Sequence, residues 1–208
     1  MVSFYHTELM SLVRQKNSQN MEYSQVGQDQ FALDMLNNKR EGVYVEIGAF
    51  HSTDGSNTYL LEKDYGWKGI SFEIIQDRAD EFNLNRTNIC YVADATSFDY
   101  ESLFDSLNLP KQIDYLQIDI DPAEASLMAL LALPLEKYRF STITFEHDLY
   151  MSPDNLAIKD RQKELLSGLG YELVKENVSE PYYGLPFEDW WIDPKVVSYP
   201  QPNTLKIS

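Results

Sequence analysis

The chain has 208 residues, 43% of them hydrophobic and 24% charged, which suits one domain with a substantial core. Its 17 basic residues stand against 33 acidic ones, and the resulting net charge of −16 repels phosphate backbones and anionic membranes. Nucleic acid and membrane are therefore excluded as expected partners, and the lone cysteine, Cys90, excludes an intrachain disulfide.

Cysteine usage points to a reducing compartment, here the cytoplasm. The opening stretch MVSFYHTELMSLVRQKN lacks the apolar core of a signal peptide. No apolar run approaches the length that a membrane span needs. Residues 1–40 are expected as an N-terminal helical segment packing on the core, with a helix from Gln28 to Asn38 that buries Phe31, Leu33, Met35 and Leu36. Residues 41–208 read as one Rossmann-like domain.

Strand and helix patterns then alternate. Gly42 to Ile47 is the first strand, followed by a helix from Asn57 to Asp64. Lys68 to Phe72 is the second strand, Asp77 to Asn85 a helix, and Ile89 to Val92 a third strand with Cys90 as a small core residue. A helix from Tyr100 to Leu107 leads to the fourth strand, Ile113 to Ile118. The helix from Asp121 to Leu133 carries strong start signals: Asp121 at the N-cap, Pro122 at the first position and Glu124 three after the cap. Ser141 to Phe145 is the fifth strand, and Ser152-Pro153 opens a helix that Gly168 and Gly170 close. Tyr171 to Val174 and Glu188 to Ile192 complete the set, with Trp190 and Trp191 alternating across an edge strand, one inside and one outside. The pattern predicts an α/β fold: a Rossmann-like, doubly wound, mostly parallel seven-stranded sheet whose last strand is antiparallel.

In such sheets ligands bind outside the carboxyl ends of the strands. Those ends read Glu46, Glu73, Asp94, Asp119 and Glu146-His147-Asp148. So many acids on one edge repel one another unless a ligand brings donors or cations. S-adenosylmethionine brings both, through its sulfonium, ammonium, ribose hydroxyls and adenine amine. The first strand ends in Glu46 and runs into a small-residue turn, where Gly48, Ala49 and Phe50 let a ligand approach the backbone. Ser56, Asn57 and Thr58 offer its carboxylate hydroxyls, an amide and helix-start N–H groups, or else simply cap a helix. Glu73 is placed for the ribose hydroxyls and Asp94-Ala95 for the adenine, although Asp94 also reads as a plain loop acid.

The run SQVGQDQF, then VEIGA with SNTYLLEK and GWKGISFE, then IDYLQIDID, FEHDLY and FEDWWIDP resemble FkbM-type methyltransferases in order, from about Ser24 to Pro194. The resemblance implies an S-adenosylmethionine-dependent fold and O-methylation of a sugar or natural-product hydroxyl. Many members carry Asp-Gly where this chain has His51-Ser52, a bulkier loop in which Gly55 restores the turn.

Methyl transfer to a hydroxyl needs a positioned acceptor and a base or Lewis acid for its proton. The histidines are His6, His51 and His147, and the last two sit at strand ends. Asp119, Glu146 and His147 are the expected catalytic set. The same three are the expected metal set, because acids after the fourth and fifth strands resemble those holding magnesium in catechol-type O-methyltransferases. Tyr182, Tyr183 and Leu185 are expected over a sugar-binding acceptor pocket, with Gln25 and Gln28 on another wall. Two other classes compete. A nicotinamide dehydrogenase would want a G-x-G-x-x-G loop, which Gly48-Ala49-Phe50-His51-Ser52 does not supply. A catalytically inactive cofactor-binding or protein-interaction module would share the fold and exploit the altered loop.

Overall fold

The computed structural model describes residues 23–198. The helical stretch expected before them, and His6 within it, lie outside the described residues. Along the chain run α1 (Gln28–Met35), β1 (Val43–Ile47), α2 (Tyr59–Tyr65), β2 (Lys68–Glu73), α3 (Gln76–Asn85), β3 (Ile89–Val92) and α4 (Tyr100–Ser106). There follow β4 (Gln112–Ile118), α5 (Ala123–Ala132), β5 (Arg139–Glu146), a 3-10 turn (Pro153–Asn155), α6 (Leu156–Gly168), β6 (Glu172–Ser179) and β7 (Pro186–Ile192).

The seven strands form one sheet in the order β3-β2-β1-β4-β5-β7-β6. β1 pairs parallel with β2 on one side and β4 on the other, so the chain winds outward in both directions from the centre. β7 alone runs antiparallel to its neighbours β5 and β6. This is the expected doubly wound sheet, and winding that reverses beside β1 opens a crevice at the carboxyl ends of β1 and β4.

Burial follows strand alternation. Val45, Leu116, Ile143 and Trp191 pack into the main core with residues of α4, α5 and α6. Tyr44 and Tyr115 point to the other face, where Ala32 and Leu33 of α1 and Leu61 of α2 cover them. Phe31 continues that cover onto Trp190, with ring centroids 4.7 Å apart. Both tryptophans are thus buried, which corrects the expected inside-outside pair: β7 is an inner strand, clothed by α6 on one face and α1 on the other. Among the described residues no helix is long and apolar enough to cross a membrane.

Three element ends differ from expectation for local reasons. α1 stops at Met35 because Asn37 and Asn38 take left-handed conformations, φ 54° and 55°, which asparagine tolerates and a helix does not. β6 reaches Ser179, with register shifts against β7 that break the period-2 pattern of its polar half. α5 begins at Ala123, after a cis Asp121–Pro122 bond and an extended Pro122 with ψ 165°. The residue flanking the helix is Pro122, so Asp121 does not cap it. Ser126 Oγ closes that turn instead, accepting from Ile120 N at 3.1 Å and donating to Ile120 O at 3.0 Å.

Candidate active site

A cavity of about 690 Å³ opens at the carboxyl ends of β1, β2, β4 and β5. One side is built by the turn after β1. Gly48 sits at φ +90°, and a Cβ there would fall 1.8 Å from the carbonyl oxygen of Asp119, so only glycine lets β1 and β4 close together. The N–H groups of Gly48 and Ala49 both donate to Phe72 O, at 3.0 and 3.1 Å. Next, Phe50 N donates to Glu73 Oε2 at 3.1 Å while Ile75 N donates to Glu73 Oε1 at 2.9 Å. One carboxylate thus clamps the β1 turn to the β2 turn and still faces the cavity. Phe50 takes φ 49° and lies 4.2 Å beneath the Arg78 guanidinium; with His51 it stands on the cavity wall and leaves the space open.

Glu46 and Asn57 also reach this wall. Glu46 is buried, and its two oxygens accept from Thr58 Oγ1 at 3.0 Å and Ser71 Oγ at 2.6 Å. Burial lifts its carboxyl to about 7 against the downward pull of Arg86. Asn57 is 4% exposed, and its Oδ1 has no partner. Ser56 and Thr58 do not line the cavity. Ser56 Oγ accepts from Thr58 N and Tyr59 N, at 3.3 and 3.1 Å, and so caps the start of α2. Their hydroxyls are spent on the fold, which corrects their expected ligand contacts. Asp94 is exposed, with Oδ1 accepting from Thr96 N and Oγ1, and Ala95 packs beneath Tyr100. Neither lines the cavity.

The opposite side is carboxylic. Asp119 and Asp121 come from the end of β4, and Glu146 and Asp148 from the end of β5, with Tyr150 beside them. Asp119 N donates to Ile47 O at 2.9 Å and so prolongs the β1–β4 ladder. Glu146 and His147 are consecutive in an extended segment, so they point to opposite faces. Glu146 faces the cavity. His147 is fully buried on the other side, its Nδ1 accepting from Leu149 N at 3.2 Å and its Nε2 3.6 Å from Asp189 Oδ1. The expected set of Asp119, Glu146 and His147 is therefore not brought together, either for catalysis or as metal ligands. Among the described residues no three His, Cys, Asp or Glu side chains are disposed to hold a metal ion. Asp121 and Asp148 stand where His147 was expected, and Asp121 was masked in the sequence by its apparent capping role.

These acids perturb one another. Burial raises Asp119 to about 6, opposed by a hydrogen bond with Glu146, while Asp148 and Asp121 push it further up. Glu146 lies well above the carboxylate range, through burial first and the Asp119 charge second. The two carboxyls titrate as a pair, each raised by burial, and Glu146 is raised further by the Asp119 charge. Behind them Glu188, opposite Glu146 across the β5–β7 ladder, is lifted by burial to about 8.

Gln28 Nε2 donates to Glu188 Oε2 at 3.1 Å and its Oε1 accepts from Val26 N, so Gln28 fastens the N-terminal segment rather than facing a ligand. Gln25 does line the cavity, with an unpartnered Oε1. Tyr182, Tyr183 and Leu185 lie at the β6–β7 turn, off the cavity wall, with Tyr183 67% exposed; Tyr150 is an aromatic ring on the wall beside the acids, as Phe50 is on the opposite side. Seven lining side chains are carboxylic acids and one, Arg78, is a permanent cation.

No protein-family model and no curated protein matches this chain. Solved structures do. An O-methyltransferase from Bacillus cereus in complex with SAH superposes with a TM-score of 0.58 at 17% identity, over 90% of this chain and 89% of the other. A TehB-like SAM-dependent methyltransferase from Corynebacterium glutamicum gives 0.52 at 14%, over 93% and 100%. Aeropyrum pernix fibrillarin with natively bound S-adenosyl-L-methionine gives 0.52 at 12%, over 74% and 67%. At such identities the likeness establishes the fold, which is that of the class I methyltransferases.

Proposed function

We propose that the chain is an S-adenosylmethionine-dependent methyltransferase that O-methylates a small polyhydroxylated acceptor, a sugar or sugar-bearing molecule. The observation that carries this reading is the Asp119–Glu146 pair on the wall of a cavity at the carboxyl edge of a class I sheet. The order of FkbM-like motifs from Ser24 to Pro194 supports the same family of reactions. The unpartnered wall atoms Gln25 Oε1 and Asn57 Oδ1 are both acceptors, which suits a ligand rich in N–H, O–H and positive charge.

Gly48, Ala49, Phe50, Glu73 and Asn57 would hold the cofactor, with Glu73 aimed at its ribose hydroxyls. When bound, S-adenosylmethionine supplies an electrophilic methyl group on a sulfonium. Asp119 receives the acceptor's hydroxyl proton, since a carboxyl lifted to about 6 is a stronger base than an ordinary aspartate yet still ionised near neutrality. Glu146, whose carboxyl lies well above the ordinary range, would share a proton with Asp119 and fix its orientation. Tyr150 and Gln25 border the space left for the acceptor.

Calorimetric titration of the purified chain with S-adenosylmethionine and, separately, NADH tests the reading. Micromolar binding of the former alone is expected, followed by methyl incorporation into one member of a panel of sugars. NADH binding in its place would overturn it in favour of a dehydrogenase. Tight S-adenosylmethionine binding without turnover on any hydroxyl acceptor would favour a non-catalytic module.

A further inference from the structure

Arg86 belongs to none of the motifs, yet it is the most heavily bonded side chain beneath the cofactor side of the cavity. It leaves the C-terminus of α3 with its side chain 1% exposed. All five guanidinium N–H groups find acceptors. Nε donates to Glu62 Oε2 at 2.7 Å, Nη1 to Ser52 O at 2.8 Å and Ser56 Oγ at 3.2 Å, and Nη2 to Tyr44 OH at 3.2 Å and Thr58 Oγ1 at 3.1 Å. Three of these acceptors lie on the turn between β1 and α2. The same turn holds the bulky His51-Ser52 pair, and Ser52 is pinned a second time, its Oγ donating to Glu81 Oε1 at 2.5 Å.

Thr58 passes the arginine's influence on. Its Oγ1 accepts from Arg86 and donates to Glu46 Oε1 at 3.0 Å, and Glu46 stands on the cavity wall. We propose that Arg86 is the positioning residue of the cofactor site, fixing the β1–α2 turn through Ser52, Ser56 and Thr58 and, through Thr58, presenting Glu46 as the anion that selects a positively charged cofactor. This rests on the function proposed above and adds how the site distinguishes substrate from product. S-adenosylmethionine carries a sulfonium that S-adenosylhomocysteine lacks, so an ionised Glu46 favours the former and helps release the latter.

The other groups facing Glu46 do not supply that control. Glu62 on α2 is an anion held low, against the upward pull of burial, by Arg86. Tyr44 on β1 and Tyr115 on β4 are pushed up by burial and stay neutral, as does Cys90 on β3, at about 12. Arg86 is the one cation among these groups, and it opposes the burial that lifts Glu46 to about 7. The sign follows. Below about pH 7 Glu46 takes up a proton and the preference for a cationic ligand falls; without Arg86 the fall begins at higher pH.

The test is titration of the whole chain with S-adenosylmethionine and S-adenosylhomocysteine at pH 6, 7 and 8, for the wild type, Arg86→Met, Arg86→Lys and Thr58→Val. The wild type should lose at least threefold of its S-adenosylmethionine preference between pH 8 and 6. In Arg86→Met that loss should already be present between pH 8 and 7, and Arg86→Lys should restore the profile. In a Glu46→Gln background Arg86→Met should no longer move it, which separates Glu46 from the titration of Asp119. Should Arg86→Met not fold, Thr58→Val leaves the arginine in place, cuts the relay and should shift the profile in the same direction. The inference is overturned by a flat wild-type profile. Equal losses for both ligands, with no change of profile in folded variants, overturn it as well. A wild type that binds neither ligand defeats the proposed function instead.

Discussion

On the β1–β2 side of the cavity, Glu46 and Glu73 each accept two hydrogen bonds, and Arg86 lies behind them as a buried cation. On the β4–β5 side, Asp119, Asp121, Glu146 and Asp148 face one another, and burial and mutual charge lift Asp119, Glu146 and Asp148 above the ordinary carboxylate range. The first side is organised before any ligand arrives, as a binding site needs to be. The second is a cluster of acids in which mutual charge adds to burial, an arrangement suited to accepting a proton. The same residue types thus serve two purposes, set apart by whether donors or more acids surround them.

Asp119→Asn is the largest break that can be made in this contrast. It removes the base while relieving repulsion among buried acids. Turnover is expected to fall by about 10²- to 10⁴-fold, the usual worth of a positioned general base. Affinity for S-adenosylmethionine should stay within about fivefold, since a single neutral hydrogen bond is worth roughly 1 kcal/mol. Melting temperature should not fall. Initial rates, calorimetry and a thermal melt on one preparation check all three, and a variant that loses affinity but keeps turnover would place Asp119 on the binding side.

Glu73→Ala should do the converse. Its carboxylate holds Phe50 N and Ile75 N and faces the cavity, so its loss loosens two turns at once as well as removing a ligand contact. Cofactor affinity is expected to drop by about 10- to 100-fold, in line with one or two hydrogen bonds to a charged group. Turnover at saturating cofactor should change far less, and a loss confined to turnover would erase the division between the two sides.

Much of this arrangement was legible in the sequence, because short segments rich in β-branched, aromatic and aliphatic residues, such as Ile113 to Ile118 and Ser141 to Phe145, alternate with helix signals and so read as strands of a mostly parallel sheet. The acids that end those runs were legible for the same reason. His147 was misplaced although the signal was present: it follows Glu146 directly in extended chain, and period-2 alternation sends it to the other face. Asp121 misled through Asp-Pro-x-Glu, which spells a capping box unless Pro122 is extended, as it is here. Arg86 carried no signal at all. Its acceptors lie 24 to 42 residues away in sequence, so only the folded chain brings them together.

Asp94→Ala marks the small end of the scale and is the most sensitive check on where the cofactor side stops. Asp94 ends β3 as Glu73 ends β2, and by sequence position alone both acids should touch the ligand. In the structure they differ: Glu73 is buried and on the wall, while Asp94 is exposed and turned to Thr96, whose N and Oγ1 both donate to its Oδ1. Those bonds stabilise a local turn, and a solvated carboxylate adds little to binding. Affinity for S-adenosylmethionine should therefore change by less than about threefold, equivalent to under about 0.7 kcal/mol. A loss as large as that of Glu73→Ala would mean that the turn at Thr96 opens when ligand enters and that Asp94 swings inward to the adenine amine. The binding side would then extend from β1 across β2 to β3, beyond the wall that Glu46, Glu73 and Asn57 form.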